Sequence, residues 1–113
     1  MKEIDLHNAI IDYINIQFPK LLYTSTLGGV YLGKSNWKQK AIVKKHYSKG
    51  LPDILIFEPR SGYHGLAIEL KTEKGRLSKD QKKWLKDLND RNYCALVCYG
   101  FYDTIETLNN YLT

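Results

Sequence analysis

LPDILIF, residues 51–57, and LAIELKTEKGRLSKDQ, residues 66–81, decide how this chain is read. Both open as short apolar runs, and the loop between them carries Pro59 and Gly62, so a hairpin is expected over residues 52–57 and 64–71. Successive side chains of a strand alternate between faces, which sends Leu66, Ile68 and Leu70 one way and Ala67, Glu69 and Lys71 the other. On the first strand Asp53 heads the set Asp53, Leu55 and Phe57. If the hairpin pairs so that these ends oppose, Asp53, Glu69 and Lys71 converge. Charged side chains are rarely buried unless paired or bound to a metal. Taken alone, however, Glu-x-Lys on a strand also describes an ion pair at a sheet edge, which contributes little when exposed.

Around this hairpin the rest of the chain falls into a regular order. Leu6, Ile10, Tyr13, Ile14 and Phe18 recur at three and four, predicting an amphipathic helix over residues 4–18 that stops before Pro19. Residues 21–26, LLYTST, read as a strand closed by Gly28 and Gly29, and a basic helix is expected over about residues 35–47. Beyond the hairpin come a helix over 78–91 with Trp84, Leu85 and Leu88 as its stripe, a strand over 93–99, and a helix over 103–112 opened by an Asp103–Glu106 capping box. The order helix, strand, helix, strand, strand, helix, strand, helix predicts an α/β sandwich in which a small mixed sheet is flanked by helices.

With 113 residues, 43% of them hydrophobic, the chain has the size of a single domain, 1–113, with one core. The net charge of +5 is unevenly spread: between Tyr13 and Pro52 there is no acidic residue, while Lys20, Lys34, Lys38, Lys40, Lys44, Lys45 and Lys49 all fall there. A block this one-sided suggests a polyanionic partner, nucleic acid first, although a solvated basic face has the same composition. Cys94 and Cys98 lack metal-site spacing and are too few for a disulfide framework; with Leu96 they fit one buried strand face, and a reducing, cytoplasmic compartment is expected. No apolar run is long enough to cross a bilayer, so no membrane association is expected.

Other polar residues stand on faces that should be apolar. Glu3 and His7 share the stripe of Leu6 and Ile10, and Gln81 precedes Trp84 and Leu85 by three and four. Each has a local explanation too. Glu3 is a favourable charge in a first helical turn, His7 reads as a partly buried structural histidine, and Ser78 with Gln81 forms the S-x-x-Q capping box, which is compatible with a site role. His46 and His64 fit no metal or nucleophile pattern. Two carboxylates suit a hard divalent cation that also binds a phosphate oxygen, and a neighbouring Lys can orient water or offset developing charge. Metal-assisted phosphodiester hydrolysis therefore accounts for both the site and the basic block. No Gly-rich loop has Walker spacing, and no base adjoins a Ser or Cys nucleophile.

At these residues the chain resembles a known family. Gly50–Ile54, GLPDI, followed by IELKTEKGRLSKDQ at residues 68–81, is similar to the VRR-NUC (virus-type replication-repair nuclease) family of the PD-(D/E)XK nuclease superfamily, and EIDLH at residues 3–7 resembles its opening helix, where Gln commonly stands in place of His7. The resemblance implies a restriction-endonuclease-like fold, with Asp53, Glu69 and the Leu70 carbonyl as ligands of Mg²⁺ or Mn²⁺. It makes Lys71 the catalytic lysine, with Gln81 steadying the site and Glu3 acting through water or near a second metal. Short members resemble homodimeric Holliday-junction resolvases, many of them carried by phages. The expected function is thus metal-dependent, structure-selective DNA endonuclease action on branched DNA, with Lys38, Lys44, Lys45, Lys49, Lys74 and Arg76 contacting the nucleic acid. The alternatives are an inactive DNA-binding module of the same fold, a flap or nicking nuclease, and a restriction-type enzyme. Val30, Tyr31, Leu32 and Trp37 are candidates for a dimer surface or for cover of the chain's own sheet.

Overall fold

The computed structural model describes residues 1–26, 37–46 and 48–113, with the side chains of residues 37–40 and 43 outside that description. Its elements run α1 (Glu3–Gln17), β1 (Tyr23–Ser25), α2 (Trp37–His46), β2 (Ile54–Ile56), β3 (Leu66–Lys71), α3 (Lys79–Asp90), β4 (Cys94–Tyr99) and α4 (Gly100–Leu112). This is the order expected from the periodicity. Val30, Tyr31 and Leu32 lie outside the described residues, as do the side chains of Trp37 and Lys38.

The four strands form one mixed sheet in the order β1-β2-β3-β4. β1 pairs antiparallel with β2 and β2 with β3, whereas β3 and β4 run parallel, the return being made through α3. A parallel pair requires such a crossover, because a tight turn cannot reverse the chain twice. The main core lies on one face of the sheet. There Leu6, Ile10 and Ile14 of α1 and Leu108 and Leu112 of α4 pack on Ile54, Ile56, Leu66, Ile68, Leu70 and Cys98. On the other face Leu85 of α3 packs against Ala67 and Ala95. Small residues there let α3 approach the sheet, so α3 is the wall against which β3 presents its odd-numbered side chains. Cys94, Leu96 and Cys98 share the α1/α4 face, as their spacing predicts.

Asn89, in the last turn of α3, donates to the Ala95 carbonyl at 2.8 Å and accepts from the Ala95 amide at 2.9 Å. A single side chain thereby supplies both backbone bonds that an outer strand would make to β4, and ties α3 in register with the sheet edge. The opening of α4 departs from expectation. The helix begins at Gly100, three residues before Asp103, and its N-cap, Tyr99, makes no side-chain cap. β4 turns directly into the helix through Gly100 at φ +85°, so Asp103 already lies inside the first turn and accepts from the Tyr99 amide at 2.8 Å. The expected Asp103–Glu106 capping box therefore has no place.

Candidate active site

β2 and β3 pair with Ile54 opposite Ile68 and Leu55 opposite Ala67, so one step further Asp53 stands opposite Glu69. Of the registers open to the hairpin, this is the one that brings the two carboxylates together. Both are buried, at 3% exposure. The Asp53 side chain has a structural duty, because its Oδ2 accepts from the Leu70 amide at 2.8 Å. That bond continues the ladder past the end of β2, where Pro52 offers no N–H. The corner is braced from β1: Thr26 donates from its amide to the Asp53 carbonyl at 2.9 Å and from Oγ1 to the Pro52 carbonyl at 2.7 Å.

Glu69 is held from three sides. Gln81 Nε2 donates to its Oε2 at 3.3 Å, Lys71 Nζ stands 3.8 Å from the same oxygen, and Asp53 faces it across the strands. Burial, reinforced by hydrogen bonding and negative charge from Asp53 and opposed by Lys71, pushes the Glu69 carboxyl up to about 9. Lys71 is itself largely enclosed. The turn after β3 folds back over its stem, and a Cβ on Gly75 would come within 3.0 Å of Lys71 Cδ.

Gln81 performs both roles its position allows. Its amide donates to Ser78 Oγ at 3.1 Å and its Oε1 accepts from the Ser78 amide at 2.8 Å, completing the capping box, while Nε2 reaches Glu69. α1 contributes the opposite wall. His7 is buried, with Nε2 3.9 Å from Asp53 Oδ2 and 3.9 Å from Glu3 Oε1, whereas the Glu3 side chain is mostly exposed. Glu3, Lys49, Gly50, Leu51, Asp53, Glu69, Ser78 and Gln81 line a cleft of about 200 Å³. The Leu70 side chain is in the core, and its backbone lies between Glu69 and Lys71.

The donor set fits a divalent cation. Two buried carboxylates pressed together, one pushed toward its protonated form, and a buried imidazole nitrogen without a hydrogen-bond partner form a site short of positive charge. Among the described residues no group of three or more His, Cys, Asp or Glu side chains is placed to hold a metal ion. That suits a cation of the Mg²⁺ type, which takes one or two carboxylates and keeps waters, rather than a structural site.

The basic residues are distributed unevenly around this cleft. Lys49 reaches Asp80 at 3.8 Å and remains open to solvent at its rim. Lys74 and Arg76 are exposed on the turn that follows β3, and Lys44 and Lys45 are exposed on α2. Two glycines have duties that their motif does not signal. Gly50 has φ +86°, and a Cβ there would meet the Asp80 carbonyl carbon at 2.6 Å, so the GLPD stretch lies against the start of α3. Gly75 covers Lys71. Thr26 is equally unmarked; nothing in TST singles it out as the brace of the Asp53 corner.

A mixed sheet with two acidic residues and a lysine gathered at the end of its central hairpin is the arrangement of a PD-(D/E)XK-type nuclease domain. The VRR-NUC domain pattern matches residues 31–102, and the chain belongs to that family. The matched segment contains Asp53, Glu69, Lys71 and Gln81, while Glu3 and His7 lie before it. A solved structure described as a VRR_NUC domain protein superposes with a TM-score of 0.77 over 99% of this chain and 88% of its own, at 21% identity, a likeness of fold. The chain is also 37% identical over 57 residues to the Fanconi-associated nuclease 1 homolog of Arabidopsis thaliana, a stretch covering 48% of this chain and 6% of that protein. Among the described residues no helix is long and apolar enough to cross a membrane.

Proposed function

We propose that this domain is a metal-dependent DNA endonuclease that hydrolyses phosphodiester bonds, with branched DNA such as four-way junctions as its preferred substrate. The observation that carries the reading is the buried pairing of Asp53 with Glu69, with Lys71 Nζ 3.8 Å from the Glu69 carboxylate. Membership of the VRR-NUC family supports the nuclease reading. Mg²⁺ or Mn²⁺ would be held by Asp53, Glu69 and the Leu70 carbonyl. Bound there, it supplies Lewis acidity to the phosphate and a more acidic water. Lys71 orients that water or offsets charge at the phosphate, Gln81 fixes the Glu69 rotamer, and Glu3 borders the cleft where a water or second cation would lie. Lys38, Lys44, Lys45, Lys49, Lys74 and Arg76 would contact the phosphate backbone, and a symmetric homodimer would present two such sites to opposed strands.

The test is cleavage of labelled duplex, flap and four-way-junction DNA with Mg²⁺ or Mn²⁺, by the wild type and by Asp53→Asn. Paired incisions across the junction that are lost in the variant are expected. Binding without cleavage under either cation would instead identify a DNA-binding module, and cleavage confined to the flap or to one strand would replace the junction assignment with a flap or nicking activity. Light scattering with and without the junction tests the homodimer, and a strict monomer in both would remove it.

A further inference from the structure

The parallel strands β3 and β4 end together, with Lys71 beside Tyr99, so the segments that follow them leave the sheet side by side. A groove of about 380 Å³ lies where they part. It is lined by Thr72, Glu73 and Lys74 of the turn after β3, by Phe101 and Tyr102 of α4, and by Leu6 of α1. The same turn also serves the active site: Gly75 donates from its amide to the Thr72 carbonyl at 2.9 Å, and the turn folds back over the stem of Lys71. One turn is thus shared by the groove and Lys71.

Tyr102 is 83% exposed, more than any other large apolar side chain among the described residues. An exposed aromatic residue on its own needs no explanation. This ring, however, is held in place. It meets Phe101 at 5.4 Å and 81°, and Phe101 in turn meets Tyr13 at 6.3 Å and 84° and packs against the main core. Such an edge contact leaves at least one face of Tyr102 open, and a ring braced from the core outward has less rotamer freedom to lose when something stacks on it. The polar residues of the groove are a hydroxyl, a carboxylate and an ammonium, from Thr72, Glu73 and Lys74. An open aromatic face beside both donors and acceptors matches a flat ring whose rim carries both, which describes a nucleobase. Glu73 disfavours a phosphate inside the groove, whereas Lys74 can meet the phosphate that carries the base.

We propose that this groove stacks an unpaired DNA base on Tyr102, beside the phosphate presented to Lys71, so that the domain binds DNA with unpaired nucleotides at a branch more tightly than continuous duplex. The inference rests on the endonuclease reading above and names the substrate feature that its site would detect. Continuity fixes the occupant: the turn that covers Lys71 also walls the groove, so a strand lying at Lys71 runs on past Lys74 to Tyr102. In a duplex both faces of a base are already stacked, so only an unpaired or extruded base can enter. Stacking is tolerant of sequence because every base has a π-face, which suits selection by structure.

The test uses a forked duplex carrying 5-iododeoxyuridine in its unpaired arms next to the branch, and a blunt duplex of the same length, both bound without divalent cation so that no cleavage intervenes. Photocrosslinking of the wild type, mapped by peptide mass spectrometry, should place the crosslink on Tyr102 or Phe101, a readout that requires no variant to fold. Tyr102→Ala should weaken affinity for the fork roughly fivefold or more while affinity for the blunt duplex moves less than about twofold, and Tyr102→Phe should restore fork binding. Crosslinks confined to residues outside the groove, an unchanged fork affinity in Tyr102→Ala, or an equal loss on fork and duplex overturns the proposal. Failure of the endonuclease reading shows separately. A wild type that crosslinks through Tyr102 yet cleaves no DNA with Mg²⁺ or Mn²⁺ keeps the groove as a site for unpaired bases and removes the nuclease, whereas one that cleaves the fork but crosslinks elsewhere removes the groove alone.

Discussion

The Gln81 side-chain amide donates to the Glu69 carboxylate at 3.3 Å, joining the first turn of α3 to the central strand β3. Because the same side chain also closes the capping box with Ser78, the stability of α3 and the orientation of Glu69 share one residue. Paired variants separate them. Ser78→Ala and Gln81→Ala should each cost roughly 1 kcal/mol in thermal or urea unfolding, the usual effect of losing a cap. Only Gln81→Ala also frees Glu69, so its cleavage rate should fall about tenfold or more below that of Ser78→Ala. Equal rates for the two variants would reduce Gln81 to a cap.

Asp53 combines a backbone bond with its proposed ligand role, and the two can be separated. Asp53→Asn keeps an oxygen for the Leu70 amide and should remain near wild-type stability without cleaving DNA. Asp53→Ala leaves that buried N–H unpaired and should unfold about 1–3 kcal/mol more easily. Glu69→Ala and Lys71→Ala should also abolish cleavage, with DNA binding largely retained in all of these variants. Wild-type cleavage rates from Asp53→Asn or Lys71→Ala would remove the assignment of the site.

Burial beside Asp53 makes the charge of Glu69 costly in the absence of a bound cation. Between the ordinary carboxyl value of 4.5 and about 9, folded Glu69 keeps a proton that the unfolded chain has released. The folded state binds more protons across that window, so the stability of the metal-free protein falls as pH rises through it. Replacing the acid by its neutral isostere, Glu69→Gln, should stabilise the metal-free protein at pH 8 by roughly 1–3 kcal/mol and flatten that pH dependence, as melting temperatures at several pH values would report. A destabilised Glu69→Gln protein at pH 8 would contradict this account.

Gly50 is expected to tolerate no side chain. Its φ of +86° is strained for any L-residue, and the two nearest atoms a Cβ would meet are backbone atoms of Asp80 and Gln81 at the start of α3. Gly50→Ala should cost about 1–3 kcal/mol in unfolding free energy, and displacement of Gln81 from Glu69 should lower cleavage as well. An alanine variant with wild-type melting and activity would show that α3 yields at no cost.

DNA affinity should depend steeply on salt. Neutralising Lys38, Lys44 and Lys45 together should make the slope of log K against log salt shallower by up to about three, near one for each phosphate that no longer meets a lysine. An unchanged slope would place the binding face elsewhere, with Lys74 and Arg76 beside β3 as the next candidates.

The order of the elements was legible because each carries its own periodicity: Leu6, Ile10 and Ile14 repeat as a helix face, and Leu66, Ile68 and Leu70 as a strand face. Asp53, Glu69 and Lys71 were legible as charges where apolar residues belong. Their meeting was not, since it depends on a hairpin register that alternation leaves open and that the Ile54–Ile68 pairing decides. The double use of Gln81 is compatible with its spacing and is realised. The start of α4 is misplaced by sequence because Asp103 and Glu106 have capping-box spacing, while the actual signal is Gly100 directly after an apolar strand. His7 reads from its stripe as a partly buried histidine and is buried, while its 3.9 Å approach to Asp53 was not legible because it depends on how α1 crosses the end of the sheet, a long-range packing decision.

The bond from Leu70 to Asp53 spans only 17 positions of chain. Closing so short a loop has a small entropic cost, and pairings of low sequence separation form early. The hairpin that juxtaposes the two acidic residues can therefore assemble before the parallel pairing of β3 with β4, which must wait for α3 to complete the crossover. Docking of α3, with Gln81 at its tip, then closes the site around the paired carboxyl groups and fixes their final geometry.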